Sequence, residues 1–162
     1  MKIKIMSMVI AVIICFCSIV PAFADGETTD RPTGTQSAYL HYTDEFTVEG
    51  SDRASYFHDK QLALNTNAVG QITISLSVTA VSTMKKLGFT VLKLQHWNGS
   101  SWEDVWSVSD QYSLNTDYFA YLTTRSGLVS NDFYQVTVEL YAKKGFLQVQ
   151  KQTITSNYIL CN

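Results

Sequence analysis

The chain has 162 residues, of which 46% are hydrophobic and 16% are charged, and its formal net charge is −2. This length is enough for one domain with its own hydrophobic core. The acidic balance argues against nucleic acids and anionic lipid surfaces, because both favour proteins with a basic patch. We therefore expect neither nucleic acid nor a membrane as a partner of the folded domain.

The N-terminus has the features of an export signal. Lys2 and Lys4 precede an almost wholly apolar run over residues 5–20, and residues 22–24 (Ala-Phe-Ala) have the small-x-small pattern of a cleavage site. The apolar run is shorter than the roughly 20 residues of a membrane helix. We predict a signal peptide at 1–24 and a secreted or cell-envelope protein, with an uncleaved anchor as the alternative. Cleavage would leave 138 residues with 10 basic and 14 acidic side chains, a net charge of about −4.

Residues 25–53 are polar and poor in aliphatic side chains, and we interpret them as a flexible leader. Tyr39, His41, Tyr42 and Phe46 follow no clean period. They fit either a first strand or a disordered chain, and the sequence does not choose between the two.

Residues 54–162 have the pattern of a β domain. Apolar side chains alternate with polar ones over residues 70–80 and again over 134–142, which is typical of half-buried antiparallel strands. Residues 61–66, 117–123 and 146–155 add further strand-like runs. Ser82 and Gly88 could cap one helical turn, and residues 110–116 read as a loop. About seven strands in this length predict an all-β fold, an immunoglobulin-like antiparallel β-sandwich, with a small barrel as the alternative.

The strongest local signal is a β-hairpin over residues 87–108, with Asn98-Gly99 in its turn. A four-residue turn would place Trp97 opposite Trp102 and Lys93 opposite Trp106. Regular alternation then predicts that Leu92, Leu94 and Val105 share the core face, with His96 near the turn. The other face would carry the three tryptophans together with Gln95 and Asp104.

Trp97, Trp102 and Trp106 on one outer face would form an aromatic platform. Flat rings pack on the apolar faces of sugars or of partner side chains, and Gln95 and Asp104 could supply hydrogen bonds. Two alternatives stay open. A bulge could turn Trp102 and Trp106 into the core, or another segment could cover the rings.

Catalytic signals are weak, and we expect no enzyme activity, no cofactor and no metal. The chain has no G-x-S-x-G motif, and the adjacent Glu103 and Asp104 would point to opposite faces of a strand. His41, His58 and His96 lack the spacing of a zinc site. Loop carboxylates such as Asp110, Asp117 and Asp132 could hold calcium, but no D-x-D-x-D-G loop is present.

Cys161 is the one cysteine that signal cleavage would leave. A single cysteine cannot form an internal disulfide. Two interpretations stay open: an inert thiol on a final strand or tail, and an intermolecular disulfide favoured by the position next to the C-terminus.

Two stretches carry a resemblance: residues 83–108 (TMKKLGFTVLKLQHWNGSSWEDVWSV) and 134–145 (YQVTVELYAKKG). They resemble short secreted proteins of Gram-positive, largely clostridial, bacteria, from families of unknown function with an immunoglobulin-like sandwich. The resemblance implies that Tyr134 opens a strand and that its hydroxyl ties a corner, as in fibronectin-type-III-like domains. It implies a fold and a secreted address but no activity.

These observations together predict a secreted, non-catalytic β domain that binds an extracellular protein or glycan through the hairpin tryptophans. The alternative is a structural or self-associating envelope component joined through Cys161 or an exposed edge strand. An unrecognised hydrolase is a third hypothesis.

Overall fold

A computed structural model describes residues 55–162 in full and the backbone of residues 37–43. The described residues lie within one compact unit, Arg31–Asn162, and form strands but no helix. The strands in chain order are β1 (Ser37–Thr43), β2 (Phe57–Ala68), β3 (Gln71–Trp97), β4 (Trp102–Ser126), β5 (Phe133–Lys143), β6 (Val149–Thr155) and β7 (Ile159–Leu160). The predicted signal peptide and positions 25–36 and 44–53 of the predicted leader lie outside the described residues.

Strand β1 falls within the segment that we interpreted as a flexible leader. Residues 37–43 pair antiparallel with β2, and Ser37 lies opposite Asn65. Of the two alternatives that the sequence left open for this stretch, the structure has the strand.

The strands form one antiparallel sheet that is curled into a half-barrel. Its order is β1-β2-β3-β5-β6, with β4 paired to β3 and β7 paired to β5. The 27-residue β3 is the centre, because its first half pairs with β2, its second half pairs with β5, and β4 follows it along its other side. The all-β, antiparallel prediction is confirmed, but the strands belong to one continuous sheet.

The core lies on the concave side of this sheet and follows from the alternation in the sequence. Every second residue of β3 from Ile72 to Val78 is at most 1% exposed, and the same alternation buries one side of β5 from Tyr134 to Ala142. Each large aliphatic side chain buried in this way contributes roughly 1.5–3 kcal/mol before the loss of chain entropy is counted.

The helical turn and the loop predicted on either side of the hairpin are wrong. Residues 82–88 form no helical turn and residues 110–116 form no loop, since β3 and β4 run through both segments. The ladder between them shifts register between Thr79 and Met84, and β4 has left-handed backbone at Asp110 (φ 56°) and Asn115 (φ 52°). Bulges and local left-handed residues bend a strand without ending it. The turn-forming residues therefore mark the bend of a long hairpin.

The C-terminal residues form a separate short strand. Ile159–Leu160 form β7, which pairs with Phe133 and Tyr134 of β5. The Gly70 amide donates to the Asn162 carbonyl at 2.6 Å, and the Cys161 amide donates to the Asp132 carbonyl at 2.9 Å. These bonds fix the end of the chain beside the turn that follows β4.

Candidate functional site

The tip of the β3–β4 hairpin has the predicted four-residue turn, with Trp97 directly opposite Trp102. Asn98 holds the turn closed. Its Oδ1 accepts hydrogen bonds from the amides of Ser100 and Ser101, each at 2.9 Å. This arrangement explains why an Asn-Gly pair marks the hairpin so clearly in the sequence.

A β-bulge separates the tryptophans that we predicted to share one face. The register shifts after Leu94, which pairs with Trp106, whereas Gln95 pairs with Asp104. Val105 is the extra residue, and it is 48% exposed rather than part of the core. Because one extra residue moves all later side chains to the other face, Lys93 lies opposite Ser107 and not opposite Trp106.

Trp106 therefore belongs to the concave side of the sheet. It packs against the core, and the Arg125 guanidinium lies 3.7 Å from the centre of its ring. The predicted platform of three tryptophans therefore lacks Trp106. The alternative of a bulge that turns tryptophans into the core holds for Trp106 but not for Trp102.

Trp97 and Trp102 instead belong to a row of four partly exposed aromatic rings at the hairpin end of the outer face. The Trp97 and Trp102 ring centres are 5.3 Å apart, and Trp102 stacks with Tyr158 at 6.3 Å. Tyr158 in turn makes an edge contact with Phe133 at 5.9 Å. The pairing of β7 with β5 brings Tyr158 and Phe133 to the tryptophans. We call these four rings the aromatic row.

Gln95 and Asp104 lie on the same outer face, as predicted, but they bind to each other. Gln95 Nε2 donates to Asp104 Oδ1 at 2.8 Å, and Lys93 Nζ lies 2.5 Å from Asp104 Oδ2. The hydrogen bond from Lys93, followed by that from Gln95, lowers the pKa of Asp104. Gln95 Oε1 also accepts from Gln135 at 3.0 Å and from Thr137 at 3.1 Å. These side chains form a polar network that joins β4, β3 and β5.

A cleft of about 420 Å³ opens beside the aromatic row, within the size range of small-molecule sites. Its lining comes from the hairpin tip and from the segment before β5: His96, Trp97, Asn98, Gly99, Asn131, Asp132 and Phe133. Trp97 and Phe133 belong to both the cleft and the aromatic row, so the cleft is lined by aromatic as well as polar side chains.

His96 and Asp132 form the polar centre of the cleft. His96 Nε2 lies 2.9 Å from Asp132 Oδ2, and the two side chains are 21% and 41% exposed. A carboxylate accepts hydrogen bonds, so Nε2 is the donor in this contact. The His96 ring also packs on Tyr134 at 5.1 Å between ring centres. From this fixed position the Asp132 carboxylate can accept a further hydrogen bond.

Sequence reasoning missed most of this cleft. It placed His96 near the turn without a metal site, and it named Asp132 only as one of three loop carboxylates that could hold calcium. The cleft arises because β3 pairs with β5, which places Tyr134 opposite His96 and so brings the preceding Asp132 and Phe133 to the hairpin tip. Among the described residues, no three His, Cys, Asp or Glu side chains are grouped to hold a metal ion.

The Tyr134 hydroxyl ties down the turn before β5. The Tyr134 side chain is 2% exposed, and its hydroxyl accepts a hydrogen bond from the Val129 amide at 3.0 Å. Burial raises the pKa of the Tyr134 hydroxyl. The tie holds the turn before β5, which carries Asn131 and Asp132, against the core.

Cys161 is fully buried and packs within the core. Burial raises the pKa of its thiol, which keeps the thiol in its unreactive protonated form. An intermolecular disulfide through Cys161 would therefore require the C-terminal segment to leave the folded domain.

No protein-family model, curated protein or solved structure matches this chain. In the part of the chain that the structure describes, no helix has the length and apolar character needed to cross a membrane.

Proposed function

We propose that the protein is a secreted, non-catalytic binding module whose cleft and aromatic row together take a glycan of an extracellular or cell-surface partner. One observation carries the proposal: partly exposed aromatic rings border a polar cleft of about 420 Å³. Sugars present both apolar ring faces and hydroxyl groups, so they fit a site that pairs aromatic side chains with fixed polar groups.

The cleft carries the polar part of this proposal better than the network around Gln95. Asp104 is already paired with Lys93 and Gln95, so a ligand would have to break these bonds to use it. Asp104 and Asp132 are similarly exposed, at 42% and 41%, but among the described residues the Asp132 carboxylate is bonded only through Oδ2, to His96. We assign ligand contact to Trp97, Phe133 and the His96–Asp132 pair, and we assign to Gln95 and Asp104 the bracing of the strands beneath the rings.

An oligosaccharide array followed by titration calorimetry on the strongest ligand tests the proposal. Trp97→Ala should weaken binding about tenfold or more, because a stacked aromatic contact is worth roughly 0.5–1.5 kcal/mol beyond its buried area. Tyr118→Ala is the matched control, since Tyr118 is 53% exposed and lies in β4 opposite Thr79, away from the hairpin tip.

Asp132→Asn should weaken binding of the same ligand, because the variant lacks the carboxylate charge that orients His96. Equal affinity for Trp97→Ala, Asp132→Asn and wild type would refute binding at this site. If wild type binds no sugar on the array, the glycan proposal is wrong, and a protein partner for the cleft would be proposed instead.

Self-association is the second candidate, and it rests on β4. Among the described residues, this 25-residue strand pairs only with β3 and so has one free edge. Its exposed side chains include Leu114 at 68% and Leu122 at 70%. Long apolar edges favour pairing with another strand. Light scattering on wild type and Leu122→Lys distinguishes the two candidates, because only an edge-paired oligomer should dissociate in the variant while sugar binding stays unchanged.

The immunoglobulin-like assignment and the secreted address belong to the same proposal. The Tyr134 hydroxyl tie supports an immunoglobulin-like domain. The pattern of residues 1–24 supports export. N-terminal sequencing of protein recovered from the medium tests export, and a hydrolase would instead be identified by an inhibitor-sensitive turnover that His96→Ala abolishes.

A further inference from the structure

The loop between β5 and β6 carries the two most exposed large apolar side chains in the described part of the chain. Phe146 is 87% exposed and Leu147 is 86% exposed. The loop is closed by a hydrogen bond from the Lys144 amide to the Gln148 carbonyl at 2.9 Å. Both apolar side chains therefore stand at the tip of a short hairpin loop that is held in place at its base.

Lysines surround the base of this loop. Lys143 and Lys144 precede it, and Lys86 lies directly opposite Lys143 across the β3–β5 ladder, with Lys85 next to it. Paired lysines on neighbouring strands repel each other, so an anionic partner would stabilise them. Within the described residues, Lys85, Lys143 and Lys144 make no ion pair, whereas Lys151 on β6 is paired with Glu139 at 2.8 Å.

Apolar residues extend from the loop along the same edge. The row of paired residues that contains Lys86 and Lys143 continues to Leu114 on β4, which is 68% exposed, and to Val149 on β6, which is 42% exposed. An exposed apolar tip next to several lysines fits a membrane interface, where the tip enters the acyl region and the ammonium groups meet anionic headgroups.

We propose that this loop docks the protein on an anionic lipid surface, with Phe146 and Leu147 inserted and Lys143 and Lys144 against the headgroups. Lys86 is engaged differently, since its Nζ lies 3.5 Å from the centre of the Tyr112 ring. The overall acidic charge led us to expect no membrane partner, but attraction to a charged surface decays within about 10 Å, so the charges at the contact dominate. This inference does not depend on the proposed glycan site.

Docking through this loop would also orient the domain on the lipid surface. The hairpin tip with the aromatic row is 11 residues from Lys86 along β3, or about 35 Å at the rise of a strand. The two sites lie at opposite ends of β5, which begins at Phe133 and ends at Lys143. A protein docked through the loop would hold its cleft away from the lipid.

Depth-dependent quenching on the full chain is the decisive test. Tryptophan is introduced as Phe146→Trp, with Val69→Trp as the matched control, because Val69 is 81% exposed in the β2–β3 turn and has no lysine nearby in sequence. The probe is a vesicle of phosphatidylglycerol and brominated phosphatidylcholine in equal parts. We expect additional quenching for Phe146→Trp on these vesicles, much less on vesicles of phosphatidylcholine alone, and none for Val69→Trp.

Vesicle sedimentation measures how much the lysines and the apolar side chains each contribute to the affinity for anionic vesicles. Residues 1–24 are the same in every variant, so binding through them is common to all. Lys143→Gln with Lys144→Gln should lower the affinity for anionic vesicles about 25-fold, since each lysine near the surface is worth about fivefold. Phe146→Ser with Leu147→Ser should lower it roughly a hundredfold, whereas Val69→Ser should leave it unchanged.

Three results would overturn the proposal. These are no binding of wild type to anionic vesicles, a bound Phe146→Trp chain without additional quenching, and equal affinity for the loop variants and Val69→Ser. Loss of an oligomer in the Phe146→Ser, Leu147→Ser variant, without quenching of Phe146→Trp, would assign the loop to a protein contact instead.

Discussion

Gly88 is the position where one added methyl group tests the packing of the long hairpin. It lies in β3 opposite Tyr112, and a Cβ built there would lie 2.0 Å from the Gln111 carbonyl oxygen and 2.8 Å from the Tyr112 Cα. Ordinary contacts of this kind are about 3.4 Å or longer. Since both obstructing atoms belong to the β4 backbone, the clash can be relieved only by moving β4 away from β3.

We expect Gly88→Ala to lower the free energy of unfolding by about 3–5 kcal/mol. Overpacking a filled position costs about 1–3 kcal/mol, and displacing β4 would weaken the ladder bonds of this pair at about 1 kcal/mol each. This is a large part of the 5–15 kcal/mol that stabilises a typical domain. Urea unfolding followed by tryptophan emission measures the change.

Gly127→Ala is the matched control. Gly127 has a left-handed backbone, φ 78°, but a Cβ there would meet no atom within 4 Å. Its cost should be limited to the 1–2 kcal/mol or so of placing alanine in that conformation. If Gly88→Ala loses no more stability than Gly127→Ala, the close approach of β3 and β4 at this bend is wrong.

Further predictions concern the corner, the outer face and the thiol. Tyr134→Phe should lower the free energy of unfolding by about 1 kcal/mol, because it loses the hydrogen bond from the Val129 amide. Tyr121→Phe should lower it less, and urea unfolding curves of the two variants measure the difference. The lowered pKa of Asp104 means that its folded state favours the carboxylate. Its contribution is therefore present at neutral pH and is lost as the pH falls through that pKa, so the small difference in stability between wild type and Asp104→Asn should vanish in acid. The Cys161 thiol should react with a thiol reagent only after unfolding, seen as the difference in labelling between wild type and Cys161→Ala.

The sequence predicted those strands in which alternation is uninterrupted. The odd–even pattern from Ile72 to Val78 and from Tyr134 to Ala142 has the same phase in the structure, because each residue in a regular strand takes the face opposite to its neighbour's. The hairpin turn was also predictable, since Asn98 and Gly99 act within the turn itself. Local chemistry is enough for such features.

The sequence did not predict the places where the phase changes. Val105 is a bulge, and nothing in the residues Glu-Asp-Val-Trp marks which of them lies outside the ladder. One bulge moves every later side chain to the opposite face of the sheet. The expected outer-face position is therefore wrong for Trp106, which follows the bulge, and right for Trp102, which precedes it. The helical turn expected before Gly88 has the same origin, because the shift in register near Met84 breaks the period of two.

The cleft depends on pairings between distant residues. His96 and Asp132 are 36 positions apart, and Tyr158 reaches Trp102 only because the short β7 returns to β5. Each of these side chains alone resembles an ordinary surface residue in the sequence. A single sequence therefore contains the residues of the site but not the contacts that make it a site.

The contact between Trp106 and Arg125 shows how far the hairpin curls. Both belong to β4, and a straight strand would place side chains 19 residues apart at a separation of about 60 Å. The guanidinium nevertheless lies 3.7 Å from the centre of the indole ring. The bulge at Val105 turns Trp106 inward, and the left-handed residues Asp110 and Asn115 lie between the two partners. The irregularity that removed Trp106 from the outer face thus supplies a contact that closes the sheet around its core, and deleting Val105 should affect the curl as well as the hairpin.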